Sequence, residues 1–141
     1  MSRIYWDSML FVYMLEANPR FGPRVRQIYQ QMMQRGDRLC TSAFTVGEVL
    51  TGPQKAGSSA VVAELRKYFA SDEIDLVPFT LITAEEYSRI RAANSVLPAD
   101  AIHLASAAQV KADLFLTNDH NLLRLNVPGI TFMASLEAKL F

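Results

Sequence analysis

The sequence predicts an α/β fold: a three-layer α/β/α sandwich around a central parallel sheet of four to five short strands. Three observations carry this. Short β-prone runs alternate with longer segments of helical character along the whole chain. The runs are mainly apolar, as in strands covered on both faces. Parallel neighbours need helical crossovers, and the alternation supplies them. At 141 residues the chain fits one domain, taken as residues 1–141, with room for a sizeable core.

Ile4-Tyr5-Trp6 is the first strand and ends at Asp7; Ser8 is expected to cap a helix reaching about Ala17, where Asn18-Pro19 breaks it. A second helix covers roughly Phe21 to Arg35, with Gly36 as its stop. Leu39-Cys40-Thr41 is the second strand, followed by a helix over Phe44 to Leu50 that Gly52-Pro53 is expected to end. Gly57-Ser58-Ser59 opens a helix over Ala60 to Phe69, whose Val61, Val62, Leu65 and Phe69 recur at helical spacing. Ile74 to Phe79 reads as the third strand. Thr83 with Glu86 three residues on suggests a capping box for the next helix. After a loop over Asn94 to Leu97, Pro98 takes the first helical position and Ala99 to Lys111 follows. Asp113 to Thr117 and Ile130 to Met133 complete the strands, and a short helix is expected to close the chain.

Composition narrows the function. Half the residues are hydrophobic and a fifth charged, which excludes disorder as the main state. Fourteen basic residues balance fourteen acidic ones, so no basic coat exists for nucleic acid; any such binding needs a local patch or metal ions. Cys40 is the one cysteine, which excludes an intrachain disulfide or a cysteine-based zinc site and fits a reducing cytoplasm. The longest early apolar run, Met9 to Leu15, is seven residues, against the roughly 18 needed to span a bilayer. No membrane partner is expected.

Ligands of open α/β sheets bind at the carboxyl ends of strands near the switch in strand order. Asp7 closes strand one, and Thr117-Asn118-Asp119 follows strand four. Asp100 is the third residue of a helix that begins at a proline, and Glu48 sits among Val46, Val49 and Leu50. Each has an ordinary reading. Asp7 and Thr117-Asn118-Asp119 suit turns, and Asp100 suits a helix N-terminus. Glu48 is less ordinary, because a carboxylate beside an apolar face calls for a partner. Together they say more. Four carboxylates about 5 Å apart would repel by about 3 kcal/mol per pair at an effective dielectric near 20. Such a cluster is partly protonated or holds cations. Oxygen donors without cysteine select Mg²⁺ or Mn²⁺, and such ions serve phosphate-ester chemistry.

The residues also resemble a known family. Ile4-Tyr5-Trp6-Asp7-Ser8 resembles the opening strand of PIN-domain ribonucleases, and Thr45-Val46-Gly47-Glu48-Val49 their helix with the second acid. Leu97-Pro98-Ala99-Asp100-Ala101-Ile102-His103-Leu104-Ala105 matches most closely, followed by Leu116-Thr117-Asn118-Asp119. Order and spacing agree over essentially the whole chain, and its length resembles that of the single-domain toxins of VapBC-type toxin–antitoxin pairs. The opening motif often continues with a second small hydroxyl residue; Met9 stands there instead. The resemblance implies a metal-dependent endoribonuclease with one or two Mg²⁺ or Mn²⁺ ions on Asp7, Glu48, Asp100 and Asp119. Ser8, Thr117 and Asn118 would support these acids. It also implies an RNA substrate, a small antitoxin partner and a homodimer.

Other features have their own readings. His103 lies one helical turn after Asp100; core or interface neighbours are expected to satisfy it, and a hydrogen bond to a metal-binding carboxylate or a part in proton transfer is the sharper option. His120 reads as a loop residue. Arg20, Arg24, Arg26, Arg35 and Arg38 fall within nineteen positions, as a solvated face or as contacts to RNA phosphates. Tyr13, Met14, Tyr29, Met32 and Met33 read as core, with a groove for a partner helix as the alternative. A non-catalytic RNA- or protein-binding module on the same fold is the competing function. A receiver domain would want paired acids after strand one and a lysine after strand five, and an aspartyl phosphatase a second aspartate at Met9; neither pattern occurs.

Overall fold

A computed structural model describes all residues, Met1–Phe141. Five strands form one sheet: β1 (Arg3–Trp6), β2 (Arg38–Ser42), β3 (Ile74–Val77), β4 (Leu114–Leu116) and β5 (Phe132–Ala134). Their order is β3-β2-β1-β4-β5, and every pair is parallel. Between them run α1 (Ser8–Leu15), α2 (Gly22–Arg35), α3 (Ala43–Lys55), α4 (Ser59–Phe69), α5 (Leu81–Ala93) and α6 (Pro98–Gln109), with a 3-10 turn over His120–Arg124. The chain winds outward from β1 to β3, then returns to place β4 on the other side of β1. The switch in strand order therefore lies between β1 and β4.

Strand side chains alternate between faces, and the two cores follow that alternation. Ile4, Trp6, Leu39 and Leu116 pack with Leu10 and Phe11 of α1, Val25, Ile28 and Met32 of α2, and Leu65 and Phe69 of α4. Tyr5, Cys40 and Phe115 face the other way, against Ile90 of α5 and the alanine-rich side of α6. The Tyr5 and Phe115 rings stack at 5.2 Å between centroids. Seven of the eight residues of α6 from Ala101 to Ala108, all but Ile102, are buried. A helix covered all round can carry mostly small residues, and these let it lie close to the sheet. The expected three-layer architecture and its parallel sheet are present.

Several boundaries differ, each for a local reason. Asp7, not Ser8, caps α1: its carboxylate accepts from the Met9 amide. The helix over Phe44 to Leu50 continues through Pro53 to Lys55. Gly52 has no Cβ to clash with the proline ring, and the stop is Gly57 in the left-handed region at φ 67°. The capping box of α5 pairs Thr80 with Thr83, one turn earlier than Thr83 with Glu86. The third strand ends at Val77, and Phe79 lies beyond it. No helix closes the chain after β5. The Arg24 guanidinium instead binds the carbonyls of Leu136 and Ala138 and pins that segment to α2.

Candidate active site

A cleft of about 480 Å³ opens at the carboxyl ends of β1 and β4, lined by Asp7, Ser8, Glu48, Asp100, Asn118 and Asp119, with Met9, Tyr13, Ala99 and His103. All four acids singled out in the sequence meet there. The topology explains how: Asp7 follows β1, Asp119 follows β4, α3 brings Glu48, and the first turn of α6 brings Asp100. Thr117 is fully buried beneath the cleft.

Asp7 is held at both oxygens. Oδ1 accepts from the Met9 amide at 3.2 Å, and Oδ2 accepts from the Thr117 hydroxyl at 2.5 Å. Burial raises its carboxyl above the ordinary aspartate range, although Thr117, the nearby His103 and the α1 amides pull the other way. The Thr117 hydroxyl in turn accepts from the Asp119 amide at 3.0 Å, so one side chain ties the two strand ends together. Asp119 caps the 3-10 turn through Asn121. The Asn118 amide donates to the Tyr13 hydroxyl at 3.1 Å and not to an acid, so its support is to the wall of the cleft.

Asp100 makes no side-chain hydrogen bond. Burial first, then the charges of Asp119 and Glu48, lift its carboxyl above the usual range against the pull of His103. Burial pushes Glu48 up as well, but its hydrogen bond to His103, the His103 charge and Ser8 outweigh this and hold it below the usual glutamate range. Its Oε1 lies 2.6 Å from His103 Nε2. His103 is thus both a buried core residue and a partner of a cleft acid. The sequence marks Tyr5 only as a strand residue, and Tyr13 as core or as part of a groove for a partner helix, not as part of the cleft. The spacing of Tyr5 two before Asp7, on the same side of β1, is the signal that would have found it.

The donor set fits a hard divalent ion in kind. Its four acids offer carboxylate oxygens and Ser8 a neutral one, His103 Nε2 is engaged by Glu48, and no arginine or lysine forms an ion pair with any of the four acids. No three of the acidic or histidine side chains stand close enough to close on an ion, so the cleft presents the donors without a finished cage. The arginine group is largely spent on structure: Arg35 pairs with Asp37, Arg38 with Asp75, and Arg24 with the C-terminal carbonyls. Arg20 stacks 4.9 Å over Phe21, whose ring lies 4.8 Å from Tyr13 at the cleft wall. Of the aromatic and methionine group, Met32 is core, Tyr13, Met14 and Tyr29 are half-buried against it, and Met33 is exposed. Cys40 is buried, and its thiol is pushed up to about 12 by that burial.

The sequence matches the PIN domain family model over residues 4–128, from the first strand past the fourth acid. The chain belongs to the PIN-domain family. Its fold is shared with solved toxin–antitoxin proteins at low sequence identity. VapBC2 from Rickettsia felis, solved with a fragment of promoter DNA, aligns with a TM-score of 0.74 at 13% identity, over 94% of this chain and 98% of that one. A toxin–antitoxin complex from Klebsiella pneumoniae aligns at 0.65 with 17% identity, over 90% and 94%. VapC20 of Mycobacterium tuberculosis, a toxin that cleaves the sarcin-ricin loop, aligns at 0.65 with 12% identity, over 79% and 86%. No curated protein matches the sequence.

Proposed function

We propose that this PIN domain is a Mg²⁺- or Mn²⁺-dependent endoribonuclease and the toxin of a VapBC-type pair, working in the cytoplasm. The observation that carries the reading is the meeting of Asp7, Glu48, Asp100 and Asp119, from four separate elements, in one cleft with no arginine or lysine paired to them. Four such charges would be costly to gather without a cation. One or two ions held by these acids would supply Lewis acidity for phosphodiester hydrolysis and draw a polyanion into an acidic cleft. The chain's own contribution is orientation. Thr117 and the Met9 amide fix Asp7. Ser8 lies beside Glu48, and Tyr13 with Phe21 and Arg20 forms a stacked wall against which RNA can lie.

Two surfaces support the partners. A groove of about 350 Å³ between α1, α3 and α4 is lined by Val12, Leu15, Val49, Pro53, Val61 and Leu65, with Glu16 and Glu64 beside them. It suits apolar side chains of an antitoxin segment that also carries basic residues. Beside the edge strand β3, Leu76, Phe79, Leu81 and Ile82 are 38%, 54%, 77% and 61% exposed, an apolar surface suited to a second copy of the chain. No helix is long and apolar enough to cross a membrane.

The test is RNA cleavage by the purified chain with and without Mn²⁺, alongside Asp100→Asn. Cleavage that needs the metal and is lost in the variant is the expected result. A chain that binds RNA or a protein but cleaves nothing under any metal would make it a binding module on the same fold.

A further inference from the structure

Three elements that present an acid to the cleft each carry a second, buried polar side chain close by. On β1, Tyr5 precedes Asp7 by two residues; on α6, His103 follows Asp100 by three; on α3, Thr45 precedes Glu48 by three. Those spacings keep both members of a pair on one side of a strand or helix. Tyr5 and Thr45 are fully buried and His103 nearly so.

The buried members meet beneath the acids. The Tyr5 hydroxyl lies 2.8 Å from His103 Nδ1, and His103 Nε2 lies 2.6 Å from Glu48 Oε1. The Tyr5 hydroxyl also faces Ser42, Thr45 and Thr41. Thr41 donates to the Trp6 carbonyl at 2.8 Å and contacts Thr45 at 2.7 Å. The unpaired buried polar atoms of the molecule, Trp6 Nε1 and Tyr68 Oη, are outside this network.

Donor chemistry gives the chain of bonds a direction. An ionised carboxylate only accepts, so Nε2 carries the hydrogen that goes to Glu48. In a neutral ring Nδ1 is then an acceptor, and Tyr5 donates to it. An imidazole clamped at both nitrogens can aim a glutamate through one oxygen. Phe44 and Tyr5 close on the imidazole edge-to-face at 5.6 and 5.9 Å, which restricts its rotation.

We propose that Tyr5 and His103 are positioning residues for Glu48: a buried strut from β1 through α6 that fixes Oε1 and leaves the second carboxylate oxygen free for a cation. This rests on the reading of Glu48 as a metal ligand. The strut ties the second acid to the elements that carry the first and third, so the three acids share one rigid support.

The test measures Mn²⁺ affinity by calorimetric titration, and metal-free Tm, for the unaltered chain, Glu48→Gln, Tyr5→Phe, His103→Ala and His103→Gln. Tyr5→Phe and His103→Ala are each expected to weaken Mn²⁺ binding about tenfold, the scale of a lost outer partner. His103→Gln, which keeps an N–H for Glu48, is expected to recover most of the loss. Unchanged affinity in Tyr5→Phe and His103→Ala, while Glu48→Gln binds weakly, overturns the strut and leaves the metal reading standing. Unchanged affinity in Glu48→Gln, or no Mn²⁺ binding by the unaltered chain, overturns the metal reading and the strut with it. Nitrogen NMR of the unaltered metal-free chain needs no variant to fold: hydrogen on Nε2 of His103 is expected, and hydrogen on Nδ1 alone overturns the strut.

Discussion

The Thr117 hydroxyl donates to Asp7 Oδ2 at 2.5 Å, joining two residues 110 positions apart in sequence. The Thr117 hydroxyl oxygen also accepts from the Asp119 amide. Thr117→Val keeps the shape and removes both bonds, so it leaves a buried carboxylate and an amide short of a partner. It should destabilise the chain by about 2 kcal/mol, with Thr117→Ser close to the unaltered protein. Urea unfolding of the two variants checks this, and equal midpoints would show that the bond contributes nothing.

Asp100 titrates high because burial, and after it the charge on Asp119, disfavour its ionised form. A carboxyl with a folded-state pKa above its unfolded value stabilises the fold while protonated, and that contribution is lost as pH rises through the folded value. Asp100→Asn should therefore raise the metal-free Tm at pH 7, with the gain vanishing as pH falls below the ordinary aspartate range. Mn²⁺ should raise the Tm of the unaltered chain and do so much less in the variant. A variant that melts lower at pH 7 without metal would contradict the electrostatic account of the cleft.

The sequence made the acids legible where a general rule placed them. Asp7 and Thr117-Asn118-Asp119 end neighbouring strands at the switch in strand order, and Glu48 stood out among valines and leucine. What stayed hidden depended on pairing across long sequence distances. Nothing local shows that Tyr5 reaches His103, 98 residues away, or that Arg24 reaches the carbonyls of Leu136 and Ala138 and so replaces a closing helix with an extended, pinned segment. Boundaries failed where two signals competed. Asp7 outdid Ser8 as a cap because its carboxylate could reach the Met9 amide, and Gly57 outdid Gly52-Pro53 as a helix stop.

Gly129 is the position where a side chain is least tolerable. Its φ is +102°, and a Cβ there would lie 2.8 Å from the backbone carbonyl oxygen of Ala108 in α6. Gly129→Ala should cost about 3 kcal/mol, combining strain at positive φ with a backbone clash. Thermal melting checks it; a Tm within a degree of the unaltered chain would show that this loop gives way.

The apolar surface beside β3 bears on assembly. Leu81 and Ile82 are 77% and 61% exposed, so replacing them removes little core packing. On the proposal that the chain is a homodimer, Leu81→Glu with Ile82→Glu should halve the mass read by light scattering with an unchanged circular dichroism spectrum. A dimeric mass unaffected by the double change would place the contact elsewhere, and a monomeric mass for the unaltered chain would remove the dimer proposal.

Anomalous diffraction from crystals grown with Mn²⁺ would locate the ion itself. A strong peak bounded by Asp7, Glu48, Asp100 and Asp119 is expected, lost in Asp100→Asn. A peak outside that cleft, or none at a saturating concentration, would contradict the metal reading.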